Sequence, residues 1–123
     1  MTQIQFDKQD QLQRVQDGLM DGDNLFAVYD GKGMGTGFIG LTDRRVIIQD
    51  NSFVGGKVAL TSLPYKRIQS VSYVSDKSMF GKFVASSTVV FTVGDGKSHE
   101  VEFRGVEKAR HAHDVILHYV IDE

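Results

Sequence analysis

The fold is decided by residues 38–48, which read FIGLTDRRVII, and by residues 63–71, which read LPYKRIQSV. In the first stretch, two short runs of β-branched and aromatic residues flank a Thr-Asp turn, which two arginines follow. The second stretch carries the one proline of the chain where a strand would end, and another run of strand-forming residues comes after it. Short apolar runs separated by turn residues predict consecutive strands of an antiparallel sheet.

The same pattern extends in both directions from these two stretches. Seven runs of strand-forming residues occupy 24–29, 36–42, 44–50, 57–63, 68–75, 86–94 and 98–104. In the last run the apolar residues Val101 and Phe103 alternate with glutamates, which predicts a sheet with one buried face. By the same alternation, Phe91 belongs to the buried face of the preceding strand, so we expect these three side chains in one core.

A helix is predicted on each side of the β region, and a chain of 123 residues has the length of a single domain. The expected parts of residues 1–123 are an N-terminal helical extension over 1–22, a β-barrel over 24–104 and a capping helix over 106–121. We expect Asp7 to cap the N-terminal helix and Gly18 to end it. In the C-terminal helix an apolar stripe that includes Ile116 is predicted to face the sheet and join the core.

Three short motifs resemble, in their order and spacing, those of the bacterial pleckstrin-homology-like (PH-like) domains. They are LTDRRVI at residues 41–47, LPYKRI at 63–68 and EVEF at 100–103. The resemblance covers roughly residues 20–121. It implies a mainly β fold, a PH-like seven-stranded antiparallel barrel or sandwich capped by a C-terminal α-helix, here with a short N-terminal helix. It also implies a bacterial, non-enzymatic protein of a family that often assembles into ring-shaped homo-oligomers.

The composition argues against several classes of function. With 14 basic and 16 acidic residues the net charge is −2, whereas nucleic-acid-binding proteins usually show a basic excess. Cysteine is absent and no G-x-S-x-G motif occurs, so we expect no enzyme and no cofactor. No apolar run approaches the roughly 20 residues of a membrane span, and the first residues lack the features of a signal peptide. We therefore expect a soluble cytoplasmic protein.

Three polar residues on one face of the predicted C-terminal helix are a candidate metal site. They are His111, Asp114 and His118, and imidazoles with a carboxylate can bind zinc. The two histidines are two helical turns apart, roughly 10 Å of rise, which is too far for both to reach one ion readily. We interpret this face as solvated surface and expect no metal site. His113 points toward the sheet and is expected at the edge of the core.

Lys32, Arg44 and Arg45 are the basic candidates for a weak anion contact. Lys32 is the single lysine in the glycine-rich connection between the first two strands, where lipid-binding PH domains carry several bases that grip inositol phosphates. The two arginines can either bind an anion or pair with Asp43 and Asp50 at a solvated hairpin tip, which is the interpretation we favour. We expect no specific binding of phosphoinositides.

Large apolar residues in two predicted loops are the candidates for an interaction surface. These residues are Met79, Phe80 and Phe83 between the fifth and sixth strands and, as weaker candidates, Phe53 and Val54 after the third strand. Three explanations are open for the first loop. It can plug the open end of the barrel, bury against a neighbouring subunit, or dip into a membrane interface between its flanking lysines.

The function predicted from the sequence is self-assembly or another protein–protein interaction without catalysis. The expected state is a ring-like homo-oligomer, because the loops offer apolar surface that a monomer would not readily expose. The alternative is a peripheral membrane or anionic-ligand binding module. Contact with nucleic acid is not expected, and membrane contact is the less favoured use of the loop.

Overall fold

The chain folds into two mainly antiparallel sheets and two helices. The computed structural model describes residues 3–32, 36–51, 56–74 and 87–122. Within these ranges the elements are β1 (Gln5–Phe6), α1 (Gln9–Asp17), β2 (Leu25–Asp30), β3 (Thr36–Thr42), β4 (Arg45–Asp50), β5 (Ala59–Pro64), a 3₁₀ turn (Tyr65–Arg67), β6 (Ile68–Val74), β7 (Ser87–Val93), β8 (Ser98–Phe103) and α2 (Val106–Ile121). Strands β2 to β8 are the seven predicted strands, with ends that differ by two residues at most.

The strands form a five-stranded sheet in the order β1-β2-β3-β4-β5 and a three-stranded sheet in the order β6-β7-β8. All neighbours are antiparallel except β1, which pairs parallel to β2. At one corner the backbone N–H of Lys32 donates to the carbonyl oxygen of Glu102 at 2.6 Å. In the described residues no ladder closes the sheets into a barrel. Of the two predicted architectures, the sandwich is therefore the observed one.

The main core lies between the two sheets and α2. Phe91, Val101, Phe103 and Ile116 are all fully buried in this one cluster, as the alternation of the strands and the phase of the helix predicted. Helix α2 spans Val106–Ile121, the predicted range, and closes one end of the sandwich. The apolar stripe of a single helix thus covers the side of the core that the sheets leave open.

A second, smaller core lies on the outer face of the five-stranded sheet, under α1. It consists of Leu12, Val15, Val28, Phe38 and Ile47. Gly40 permits the close approach of the helix, because a Cβ at this position would lie 3.2 Å from both γ-carbons of Val15. The central strands of this sheet are therefore buried on both faces, which explains their nearly continuous apolar sequences.

The N-terminal segment differs from the prediction. Helix α1 begins at Gln9, and no side chain caps it. The Asp7 carboxylate is used elsewhere, since it accepts the backbone N–H of Asp30 at 2.9 Å and pairs with Lys108 Nζ at 2.5 Å. These contacts dock the unpredicted strand β1 on the edge of β2. Tertiary partners thus replace the local cap that the sequence offered.

Candidate functional site

The apolar loop candidates lie outside the described residues. They are Met79, Phe80, Phe83, Phe53 and Val54. Met79, Phe80 and Phe83 fall between the end of β6 at Val74 and the start of β7 at Ser87. Phe53 and Val54 fall between the end of β4 at Asp50 and the start of β5 at Ala59. An interface role of these five side chains remains a prediction.

Arg45 is largely buried and is held by three groups of the protein. Its Nη2 donates to Asp23 Oδ2 at 2.8 Å and to the Gly18 carbonyl at 3.1 Å. Its Nη1 donates to Ser62 Oγ at 2.7 Å. The Arg45 side chain is 17% exposed, so the expected solvated hairpin tip is wrong for this residue. Arg45 instead joins the end of α1 to strand β5.

Asp23 is the carboxylate partner of both arginines. Its side chain is 1% exposed, and Arg44 Nη1 lies 3.6 Å from its Oδ1. The backbone N–H of Met20 donates to its Oδ2 at 2.8 Å. Burial acts to raise the pKa of Asp23, but the Met20 hydrogen bond and the two guanidinium charges outweigh burial and hold this pKa below its ordinary value. Asp23 is therefore a buried, ionised carboxylate that forms ion pairs with both arginines.

Asp43, the neighbour expected to pair with the arginines, binds Asn24. Its two carboxylate oxygens accept the backbone N–H of Asn24 at 3.0 Å and the Nδ2 group at 2.8 Å. The hairpin tip is closed locally by Thr42 Oγ1, which accepts the backbone N–H groups of Arg44 and Arg45. The prediction that Asp43 pairs with the arginines is therefore wrong, because Asp23, about twenty residues earlier in the chain, supplies their carboxylate.

Lys32 also contacts an acidic group of the protein. Its Nζ lies 3.8 Å from Glu102 Oε2, beside the backbone bridge that joins the two sheets. A cleft of about 420 Å³ is lined by Arg44, Arg45 and a further base, Lys66. The carboxylates of Asp23 and Asp43 line the same cleft. Bases and acids thus alternate here, and no concentrated positive surface forms in the described part of the chain.

The three polar residues of the helix face contact three different partners. The Nδ1 atom of His111 lies 2.6 Å from the Tyr29 hydroxyl. His118 Nε2 lies 3.2 Å from Asp122 Oδ2, and Asp114 Oδ1 lies 3.0 Å from His113 Nδ1. His111 is half-buried, so its predicted place on the solvated face is wrong, because its imidazole packs against the Tyr29 ring of β2. Within the described ranges, no three His, Asp or Glu side chains gather as a metal site.

In the part of the sandwich that the structure describes, two strand edges are open and carry no charge. In the described residues β5 pairs only with β4, and β6 pairs only with β7. Their sequences, ALTSLP and IQSVSYV, contain no Asp, Glu, Lys or Arg. A three-residue 3₁₀ turn, Tyr65–Arg67, connects them. The two open edges therefore lie next to each other along the chain.

Apolar side chains are exposed along these edges. Val58 and Leu60 are 58% and 48% exposed at β5, and Val74 is 47% exposed at the end of β6. The other two sheet edges are protected, because the edge strand β1 has only two residues and because β8 carries Glu100 and Glu102. The β5 and β6 edges were missed as site candidates, although the lack of charge in residues 58–64 and 68–75 was visible in the sequence.

Two packed antiparallel sheets capped by a C-terminal helix define a PH-like fold. The sequence model of the Bacterial PH domain family matches residues 19–117, and the chain belongs to this family. The fold is similar to the crystal structure of a pleckstrin homology domain from Shewanella amazonensis SB2B, with a TM-score of 0.63 and 22% sequence identity over 94% of this chain and 99% of that chain. No curated protein matches the chain. No helix in the described residues has the length and apolarity of a membrane span.

Proposed function

We propose that this chain is a non-catalytic module that assembles with copies of itself through the open edges of β5 and β6. The observation that carries the proposal is the pair of uncharged edges, flanked by exposed apolar side chains. Unpaired N–H and C=O groups at such an edge are a template for another strand. Natural monomers usually place lysine, proline or an inward charge there, and here only Pro64, at the end of β5, serves that purpose.

A contact between β5 of one copy and β6 of the next would give both open edges a pairing strand. Such a contact joins two different surfaces and is therefore repeated head to tail, which produces a closed ring when the rotation closes. The ring agrees with what the resemblance to bacterial PH-like domains implied. The loop residues Met79, Phe80 and Phe83 follow β6 directly in sequence and belong to the same interface hypothesis.

The alternative, an anionic-ligand or peripheral membrane module, has less support. Lys32 lies near Glu102, and Arg44 and Arg45 both face Asp23. An anionic headgroup would have to displace a protein carboxylate at each of these bases. We therefore keep self-assembly as the function of this chain.

Lysine substitutions at the two edges test the proposal. Leu60→Lys in β5 and Ser72→Lys in β6 change exposed positions, so both variants are expected to stay folded. A lysine on an edge strand opposes pairing with a further strand. In light scattering behind gel filtration we expect each variant to run as a 13.7 kDa monomer while the wild type runs larger. The matched control is Ser98→Lys, at the exposed start of β8, and we expect it to assemble like the wild type.

Mixing the two monomeric variants tests the head-to-tail geometry. The Leu60→Lys chain keeps a working β6 edge, and the Ser72→Lys chain keeps a working β5 edge. One contact then remains, so the mixture should form a 1:1 dimer and nothing larger. Assembly that survives Ser72→Lys would contradict the β5–β6 contact, and assembly that survives both variants would refute the edges as the interface.

A further inference from the structure

A second cleft, of about 320 Å³, lies between α2 and the N-terminal edge of the five-stranded sheet. Its helix side is formed by His111, Asp114 and Val115, and its sheet side by Gln5 and Phe26. Pockets for small molecules start at about 300 Å³ and combine apolar walls with a few polar groups. The size and the lining of this cleft fit that description, and neither the open edges nor the arginines take part in it.

The apolar wall of the cleft is a fixed stack of rings. Phe26 and Tyr119 stack with centroids 5.9 Å apart and planes at 14°. Tyr119 stacks in turn on Tyr65, with centroids 5.1 Å apart, and the Tyr65 hydroxyl donates to the buried Thr42 carbonyl at 2.6 Å. The stack is anchored in the main core, so the wall is formed before any ligand arrives.

His111 presents a hydrogen-bond acceptor to this cleft. The Tyr29 hydroxyl donates to Gln5 Oε1 at 2.8 Å, and burial raises the pKa of Tyr29 to about 12, so the phenol keeps its proton. In the tautomer that carries its hydrogen on Nδ1, His111 donates to the Tyr29 oxygen across the 2.6 Å contact. In the neutral imidazole the other nitrogen, Nε2, then has a free lone pair.

Asp114 gives the cleft its charge. Among the described residues that line it, Asp114 alone is charged when the imidazoles are neutral. Its carboxylate is 64% exposed, and His113 Nδ1 contacts only one of its oxygens at 3.0 Å. Aromatic faces, an acceptor nitrogen and a carboxylate all attract N–H groups and cations, and all of them disfavour an anion.

We propose that this cleft binds a small organic cation with an aromatic ring, of the arylalkylamine class. The ring lies against the Phe26–Tyr119 wall, and the ammonium group faces Asp114 with His111 as a further acceptor. This inference is independent of self-assembly, because none of its residues belongs to β5 or β6.

Three probes that share an indole ring test the proposal: tryptamine (cationic), indole (neutral) and indole-3-acetate (anionic). Binding is followed by NMR shifts of the aromatic rings of Phe26, His111 and Tyr119 in the wild-type protein. We expect tryptamine to bind about threefold more tightly than indole, because one partly exposed ion pair contributes a factor of this order. Indole-3-acetate should bind about tenfold more weakly than tryptamine, because it meets the carboxylate as a like charge.

The variant Asp114→Asn should bring the tryptamine Kd to that of indole and leave indole binding unchanged. Asparagine keeps an acceptor for His113, and the position is exposed, so the fold is retained. Asp95→Asn, in the exposed β7–β8 turn, is the matched control and should change none of the three Kd values. Equal or tighter binding of indole-3-acetate would overturn the proposal. So would shifts away from the cleft, or the absence of saturable tryptamine binding up to about 10 mM.

Discussion

Replacing Phe103 with alanine is expected to lower the free energy of unfolding by about 3–5 kcal/mol, the usual cost of deleting a buried phenyl ring. Phe103 is fully buried at the end of β8, in the core shared by the two sheets and α2. Its ring meets Tyr29 edge to face, with centroids 6.0 Å apart. The cavity would lie where the helix closes the sandwich, so neighbouring strands cannot readily collapse into it. Urea unfolding followed by circular dichroism measures the loss.

Glu100→Ala on the same strand is the control for this measurement. Glu100 is exposed, and the change should shift stability by about 0.5 kcal/mol or less. A loss below about 1 kcal/mol for Phe103→Ala would show that β8 presents its other face to the core, contrary to the alternation of its residues. The comparison therefore tests the register of the strand as well as the depth of the core.

Asp23→Asn is expected to cost about 2 kcal/mol at neutral pH, because it removes charge-assisted hydrogen bonds from a side chain that is 1% exposed. The Arg45 guanidinium would lose its counter-charge and remain largely buried. The asparagine keeps one acceptor for the Met20 N–H, so the charge is the main difference. Thermal and urea unfolding of the two proteins at several pH values measure this difference.

The pH dependence of this cost has a defined sign. The pKa of Asp23 is lowered in the folded state, so the unfolded chain takes up the proton first as the pH falls. The stabilisation is complete above the unfolded pKa of about 4 and is lost as the pH falls through the lower folded pKa. The gap between wild type and Asp23→Asn should therefore close in acid. Asp21→Asn, an exposed change in the same loop, should show no gap at any pH, and a gap that widens in acid would contradict the role of Asp23.

The strands and the capping helix could be predicted because they follow from short-range patterns. The alternation around Val101 and Phe103 fixed the buried face of β8, and the helical stripe placed Ile116 against it. The absence of charge in β5 and β6 is a property of the sequence itself. That these two strands lie at sheet edges depends on the order of the strands in the sheets, which short-range patterns do not contain.

The rest depends on contacts between distant parts of the chain. Strand β1 has only two residues, which is too short for a pattern, and it is held by Asp7 through Lys108, about a hundred residues later. His111, which local helix geometry places in solvent, packs against Tyr29, about eighty residues earlier in the chain. Arg45 pairs with Asp23 and not with the nearby Asp43, because the loop that carries Asp23 folds back onto the hairpin. Periodicity contains no information on such pairings.

The mass of the wild-type protein in solution is the most direct test of the proposed self-assembly. Light scattering behind gel filtration, at high micromolar concentration and without lipid, should give at least three times the 13.7 kDa of one chain, as a ring requires. A mass of two chains would contradict the ring and point to a two-fold contact. A mass of 13.7 kDa under these conditions would refute self-assembly as the function of this domain.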